Sequence, residues 1–419
     1  LLPPHHTADL RCYILDLAGT ELGAMAAMPH VAGVAHKNDP EKVRRVVDEV
    51  RSFIDDPQPG HTFLVVDGWH VVSSDFEELY DSFVAIASDG LAARVHLLLS
   101  TPRWNLIRPA IRDLLGTRIE LKLGEPMDSV IDRKAQQKLS DKPGRGLSNE
   151  GESILVAYST NQDVGHVIMA ARSTNLPPVP RLKELPVSLA VAEAGHCPGI
   201  PFGVGGPSLG ALGWDPESSP HVLCIGGQGS GKTGFMRTVG SGVVKLGREV
   251  ARLVVIDPRR SHLDAFPADM VAAYGATTDA ISQAVASAAT TLKGRLPGAD
   301  VTAADLRARS WWSGPEIYLL IDDHDLLAEG ALQPLIPLIP HARDIGLHIV
   351  VARKSGGIGR ALYTPFFATV KDNSPSVLLL DADPDEGRIF GIKPTKQIPG
   401  RGVWHVAGTT IGACHVAQT

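Results

Sequence analysis

The chain has 419 residues, 44% of them hydrophobic and 21% charged, with a net charge of −6. That length allows two or three domains with substantial cores. The acidic balance gives no global basic footprint, so no nucleic-acid partner is expected. Nothing in the chain reaches the roughly 18 consecutive apolar residues of a membrane span. Cys12, Cys197, Cys224 and Cys414 lack metal-ligand spacing and read as buried, reduced thiols.

The first strand is expected at Leu10 to Leu17. A helix follows from Asp39 to Ile54, with Pro40 near its start and Val43, Val46, Val47 and Val50 at helical spacing. Thr62 to Val66 reads as a buried strand closed by Asp67, and Asp75 to Ala87 as a helix. Then come strand Val95 to Ser100, helix Asn105 to Leu115 and strand Arg118 to Leu123. Strands alternating with helices indicate an α/β fold with a mainly parallel sheet.

The second half repeats this order. Residues 251–267 echo 10–29, IYLLIDDHDLL (317–327) echoes TFLVVDGWHVV (62–72), and IGLHIVVARK (345–354) echoes ARVHLLLSTP (93–102). Residues 376–391 echo 119–133, and PGRG occurs at 143–146 and again at 399–402. Echoes kept in one order mean two copies of one module. The expected division is a first module over 1–172, a stiff Pro-rich linker over 173–187, and a second module over 188–419. GIPFGVGG (199–206) reads as the hairpin that opens the second module, because no Lys follows its glycines.

The most informative stretch is HVLCIGGQGSGKT, residues 221–233. A buried strand ends in Gly226, Gly227, Gln228, Gly229, Ser230, Gly231, Lys232 and Thr233, the pattern GxxxxGK followed by Ser or Thr. Its glycines let backbone N–H groups curl inward as a nest for phosphate oxygens. Lys232 is placed for β- and γ-phosphates and Thr233 for Mg²⁺, and a helix-compatible run follows. ATP and Mg²⁺ are therefore the expected ligands. By repeat spacing, the matching loop of the first copy would fall before Leu1, so that copy is read as lacking its N-terminal phosphate-loop region.

The strand Ile317 to Ile321 ends in Asp322–Asp323. Asp322 is expected to hold the Mg²⁺ shell through water, beside Thr233. Asp323 stands where hydrolysing relatives of such loops carry Glu. It is shorter by about 1.5 Å of reach, and misplacement on that scale costs around 100-fold in rate. Binding is expected to outlive hydrolysis, and Glu at 323 to raise turnover. In the first copy Gly68 follows Asp67, and glycine cannot act as a base. Thr101 occupies the place of a polar γ-phosphate sensor, where the second copy has Arg353. Asp323 and Arg353 are the catalytic candidates; Arg353 and Arg343 are placed to stabilise transferring phosphate, with surface ion pairing as the alternative reading of each. Trp69 and the Trp311–Trp312 pair read as packing.

On PHVAGVAHKNDPEKVRRVVDEV (29–50), residues 97–134 and residues 292–327, the sequence resembles the FtsK/SpoIIIE-like ATPases, and among them the EccC-type ATPases of type VII (ESX) secretion. The resemblance implies two tandem RecA-like P-loop NTPase modules, similar to the second and third of three such modules on a membrane-anchored machine. It further implies a location on the cytoplasmic side of the cell membrane, other subunits of the secretion complex as partners, and a possible homo-hexamer. Its substrates would be small helical WXG100-type proteins, recognised by a C-terminal tail. The alternatives are an FtsK-like DNA translocase module, which the acidic balance disfavours, and a structural adaptor, which intact Lys232, Thr233 and Asp322 disfavour.

Overall fold

A computed structural model describes residues 5–19, 22–157, 160–173 and 176–418. The chain divides into two compact units, Leu1–Glu184 and Leu185–Thr419.

In the first unit, β1 (Leu10–Asp16), β2 (Val31–His36), β3 (His61–Asp67) and β4 (Val95–Leu99) form an all-parallel sheet ordered β2-β1-β3-β4. Helix α1 (Pro40–Asp55) starts where Asp39 accepts a hydrogen bond from Lys42 N and Pro40 presets φ. It buries Val43, Val46, Val47, Val50 and Phe53 along one stripe. The single helix expected over 75–87 is instead α2 (Trp69–Asp75) and α3 (Tyr80–Asp89). Between them Phe76 leaves helical geometry (φ −131°, ψ 38°) and buries its ring. Trp69 is buried edge-on to Phe83, and its indole N–H donates to the Leu106 carbonyl, a packing role.

The next stretch is less regular than its sequence pattern. The helix expected over 105–115 shrinks to α4 (Pro109–Arg112), because Pro109 disfavours helical geometry before it. The strand expected over 118–123 shrinks to β5 (Glu120–Leu121) and leaves the parallel sheet. It pairs antiparallel with β6 (Arg145–Leu147), which pairs with β7 (Ser153–Leu155). Buried Glu120 organises this region. Its carboxylate accepts from Trp104 Nε1, Val130 N, Ser129 Oγ and Gln136 Nε2, the last from within α5 (Arg133–Lys138). Helix α6 (Asn161–Ser173) packs Ile168 and Ala171 against Cys12, Ile14, Val31 and Val34.

The second unit has one ten-stranded sheet. It comprises β8 (Ile200–Gly205), β9 (Gly210–Trp214), β10 (His221–Gly226), β11 (Ala251–Ile256), β12 (Val271–Gly275), β13 (Glu316–Ile321), β14 (Leu347–Lys354), β15 (Ser376–Leu380), β16 (Arg401–Val406) and β17 (Thr409–Val416). The order is β12-β11-β13-β14-β10-β15-β16-β17-β8-β9, parallel as far as β15 and antiparallel beyond. β8 and β9 form the opening hairpin expected from GIPFGVGG. Helix α7 (Lys232–Val244) covers one face with Phe235, Met236, Val239 and Val243. Helix α8 (Thr278–Lys293), capped by Thr277, covers the other with Ile281, Val285 and Leu292.

The two units repeat strand for strand. The order β2-β1-β3-β4 reproduces β12-β11-β13-β14, and β5-β6-β7 reproduces β15-β16-β17. The two PGRG turns match in detail: Gly144 and Gly400 have φ of 79° and 81°, and their carbonyls accept from Val156 N and Val416 N, each at 2.8 Å. In the second unit β10 joins the two sets by pairing with both β14 and β15. Among the described residues of the first unit no strand does this, and its sheet is in two pieces. The equivalent of α7 is missing from the same residues. Leu98 on β4 is 59% exposed, whereas Val350, its counterpart on β14, is fully buried.

Residues 176–187, the described part of the expected linker beyond Ser173, form no helix or strand but do not run free as a linker would. Val179 and Leu182 donate backbone N–H groups to the Pro29 and Ala32 carbonyls, and both side chains are buried in the first unit. Beyond the division, Arg401 donates to the carbonyls of Leu185 and Pro186, and Leu189 O accepts from Gln418 N. Sheet-edge pairing and buried leucines tie each half of the stretch to its own unit.

His221 opens β10 fully buried, and burial together with nearby His348 pushes its imidazole down to about 3. The unfolded chain therefore binds a proton that the fold does not, and stability rises with pH in this window. Between about pH 6.5 and about pH 3, His221 should cost the fold about 1.4 kcal/mol per pH unit of acidification. Denaturant titrations across that range should show a shallower slope for His221→Phe; an unchanged slope would contradict this account.

Candidate functional site

After Gly226 the chain turns tightly, with Gly229 at φ 72° and Gly231 at φ 103°. A Cβ at position 231 would lie 2.7 Å from Gly400 N, so conformation and space both demand glycine. Helix α7 begins at Lys232, aiming its first N–H groups into the loop. Lys232 is buried, and its Nζ donates to the carbonyls of Gly226 (3.0 Å) and Gly227 (2.6 Å). Gly227 N donates to Asp381 O, Gly400 N to Ser230 O, and Ser355 N to Gly226 O. The second PGRG turn, to which the sequence assigned no role, thus braces the loop.

Asp322 follows β13 and is 1% exposed. Its Oδ2 accepts from Thr233 Oγ1 at 2.8 Å and lies 2.9 Å from His262 Nε2, while Oδ1 accepts from Asp323 N. Burial pushes this carboxyl upward, but the hydrogen bonds from His262 and Thr233 outweigh it and hold it below the usual carboxylate range. The Thr233 hydroxyl and Asp322 carboxylate are hard oxygen donors of the kind Mg²⁺ takes, beside a nest suited to phosphate. These residues fit a magnesium–nucleotide complex: the loop and Lys232 would hold phosphates, Thr233 and Asp322 the metal. Bound Mg²⁺ would neutralise phosphate charge.

Asp323 stands in the left-handed region (φ 46°, ψ 49°), and Gly68, its counterpart after β3, does too (φ 92°, ψ 55°). Only Gly, Asn and Asp adopt this conformation readily. A Cβ at Gly68 would also crowd Ala18 N at 3.0 Å. Backbone geometry therefore explains a short residue at both positions, and it opposes the Glu that reach alone would favour. The Asp323 carboxylate pairs with Arg259 at 2.7 Å. Burial and the adjacent Asp322 charge raise its pKa despite that arginine.

The FtsK/SpoIIIE family model matches residues 1–171. The chain is 36% identical over 439 residues to the ESX-4 secretion system protein EccC4 of Mycobacterium tuberculosis, covering 96% of this chain and 35% of that protein. It is 34% identical over 445 residues to the ESX secretion system protein EccC of Thermomonospora curvata, covering 95% and 34%. The solved structure of Thermomonospora curvata EccC (ATPases 2 and 3) in complex with a signal sequence peptide superposes with a TM-score of 0.89 at 32% identity, covering 99% of this chain and 83% of that one. The chain belongs to the EccC-type ATPases of the FtsK/SpoIIIE family. It spans about a third of the length of these two curated relatives. Its two units are RecA-like P-loop modules in tandem, and no helix among the described residues is long and apolar enough to cross a membrane.

The remaining candidates of this EccC-type chain are dispersed. Arg353 follows Ala352 on β14, and its guanidinium lies over the Phe367 ring at 5.9 Å, on the sheet face away from α7. The structure does not bring it to Lys232, Thr233 and Asp322. Arg343 donates to Ser218 O, at the amino end of β10 and so the opposite end from the loop. In the first unit Ser100, not Thr101, reaches the acid: Ser100 Oγ donates to Asp67 Oδ1 at 2.5 Å, whereas Thr101 Oγ1 donates to Arg103 O. The indole N–H groups of Trp311 and Trp312 donate to the carbonyls of Arg295 and Asp344. Two residues the sequence reading left out, His262 and Asp257, join the site. Only a His five residues after a strand-end acid marked them, and that signal has no specificity.

Left-handed strain at position 323 is open to measurement. Asp323→Gly should keep the unfolding free energy, and Asp323→Val should lower it by roughly 1–2 kcal/mol. Equal stability of the two variants in urea would show that the position is unstrained.

Proposed function

We propose that this chain is the nucleotide-holding and partner-recognising part of a type VII secretion ATPase. The observation that carries the proposal is the convergence of loop 226–231, Lys232, Thr233 and Asp322, with 2.8 Å between the Thr233 hydroxyl and the Asp322 carboxylate. The second unit binds ATP with Mg²⁺ there and turns it over slowly, because Asp323 is short and engaged by Arg259. The first unit contributes Asp67 without a base beside it. The modules lie along 1–172 and 188–419, on the cytoplasmic side of the membrane, among other subunits of the secretion complex.

A site that holds nucleotide without rapid turnover acts as a fixed ligand, worth about 2.7 kcal/mol of stability at one hundred times the dissociation constant. Nucleotide then keeps the second unit in shape to receive a partner. The matched Thermomonospora curvata protein was solved with a signal sequence peptide. By that likeness, the partner here is the C-terminal tail of a small helical secretion substrate, docking an apolar helix face.

Lys232→Ala removes a charge-assisted contact to phosphate and should weaken ATP binding by about tenfold or more, the equivalent of roughly 1.5–3 kcal/mol. Unchanged affinity by calorimetry would sink the assignment. A tail peptide titrated against nucleotide-loaded chain should bind saturably, lose affinity when its apolar anchors are made charged, and bind Lys232→Ala more weakly. No binding at submillimolar peptide would rule out tail recognition while leaving nucleotide binding standing.

A further inference from the structure

The acid of the strand beside Asp322 is committed elsewhere. Asp257, at the end of β11, is 1% exposed. Its Oδ1 accepts from Ser261 N (3.0 Å), and its Oδ2 from His262 N (2.6 Å) and Tyr274 Oη (2.9 Å). The two backbone bonds fix the loop that returns from β11, the Tyr274 bond ties Asp257 to β12, and the turn is tight enough to put Arg260 at φ 59°.

What the loop delivers is the ring of His262, whose side chain is 1% exposed, like that of Asp322. The ring is nearly parallel to Phe266, 6.1 Å away at 15°. Phe266 in turn sits so close over Gly240 of α7 that a Cβ there would lie 2.4 Å from it. The loop is therefore wedged against the helix that carries Lys232 and Thr233. His262 Nε2 lies 2.9 Å from Asp322 Oδ2, and an ionised carboxylate can only accept, so Nε2–H donates. His262 Nδ1 is buried without a hydrogen-bond partner. The polar connection of the ring is thus the one it makes to Asp322. In the first unit the corresponding acid, Asp67, takes a hydroxyl from Ser100 on the neighbouring strand.

We infer that His262 is a positioning residue for the magnesium–nucleotide site: from a loop anchored on Asp257, it fixes the Asp322 carboxylate in the orientation in which Thr233 meets it. The inference rests on the proposal that the second unit binds nucleotide with Mg²⁺. Partners of this kind orient a metal-shell group, and their loss commonly costs about 10–100-fold in metal affinity. The choice of substitution follows from bond count. Gln places its amide nitrogen as many bonds from Cα as His places Nε2, whereas Asn places it where Nδ1 stands, short of Asp322.

The test uses the full chain and a non-hydrolysable ATP analogue, titrated with Mg²⁺ and again with a chelator. For the native chain Mg²⁺ should tighten binding. His262→Leu and His262→Asn should lose about 10–100-fold of that gain, with affinity in chelator unchanged, and His262→Gln should retain most of it. Should the Leu variant fail to fold by circular dichroism, the Asn and Gln pair makes the same comparison. Full retention of the Mg²⁺ gain without the imidazole overturns the inference. So does an equal loss in Mg²⁺ and in chelator, which marks general damage, and so does a Gln variant no better than Asn. A native chain that binds no nucleotide under either condition overturns the site reading, and the inference with it.

Discussion

Backbone pairing along both edges of β10 holds the second unit together and aims its site. This strand receives β14 on one side and β15 on the other, so six parallel strands and their antiparallel extension form one sheet. It is buried along its whole length and ends where the loop begins. Helix α7 then turns back over the face that β10 completes, covering Val350 and Ala352. The anion nest, its lysine and the hydroxyl of Thr233 are therefore fixed by a strand at the centre of the sheet.

The first unit shows the same pattern without that strand among its described residues. Its parallel strands stop at β4 and its antiparallel strands start at β5, with no ladder between them. Leu98 lies open where Val350 is covered. Local order survives in each piece because each has its own closed set of contacts: Val43, Val46 and Val50 under the parallel strands, and the Glu120 carboxylate under the irregular ones. The unit keeps the acid at the end of β3 but offers it a serine hydroxyl in place of a threonine from a phosphate loop.

Around Asp322 the chemistry is set by what surrounds the carboxylates more than by their number. Asp257, Asp322 and Asp323 lie within one neighbourhood yet have three different tasks. Asp257 spends its oxygens on backbone and Tyr274. Asp322 accepts from Thr233 and His262 and stays ionised. Asp323, bent into the left-handed region, faces Arg259. The backbone at that position limits which side chains fit, and so couples the slow turnover proposed for this unit to its geometry.

The sequence by itself determined the repeated strand order, the phosphate loop, the acid at the end of β13 and the helix α1. Each is written in a short window: alternation and burial within one strand, glycine spacing within one turn, or an apolar stripe capped by Asp39. The tertiary structure alone decided the rest. β5 reads as a strand of the main sheet, but strand membership depends on a neighbour, and β10 has no described counterpart there. Residues 173–187 read as a linker, but within them Val179 and Leu182 donate N–H groups to carbonyls far away in sequence and bury their side chains. His262 reaches Asp322 across 60 residues, and Gly68 and Asp323 share a backbone conformation that no residue pattern encodes. Contacts between distant segments leave no periodicity for a sequence to show, and it is those contacts that place each acid in its role.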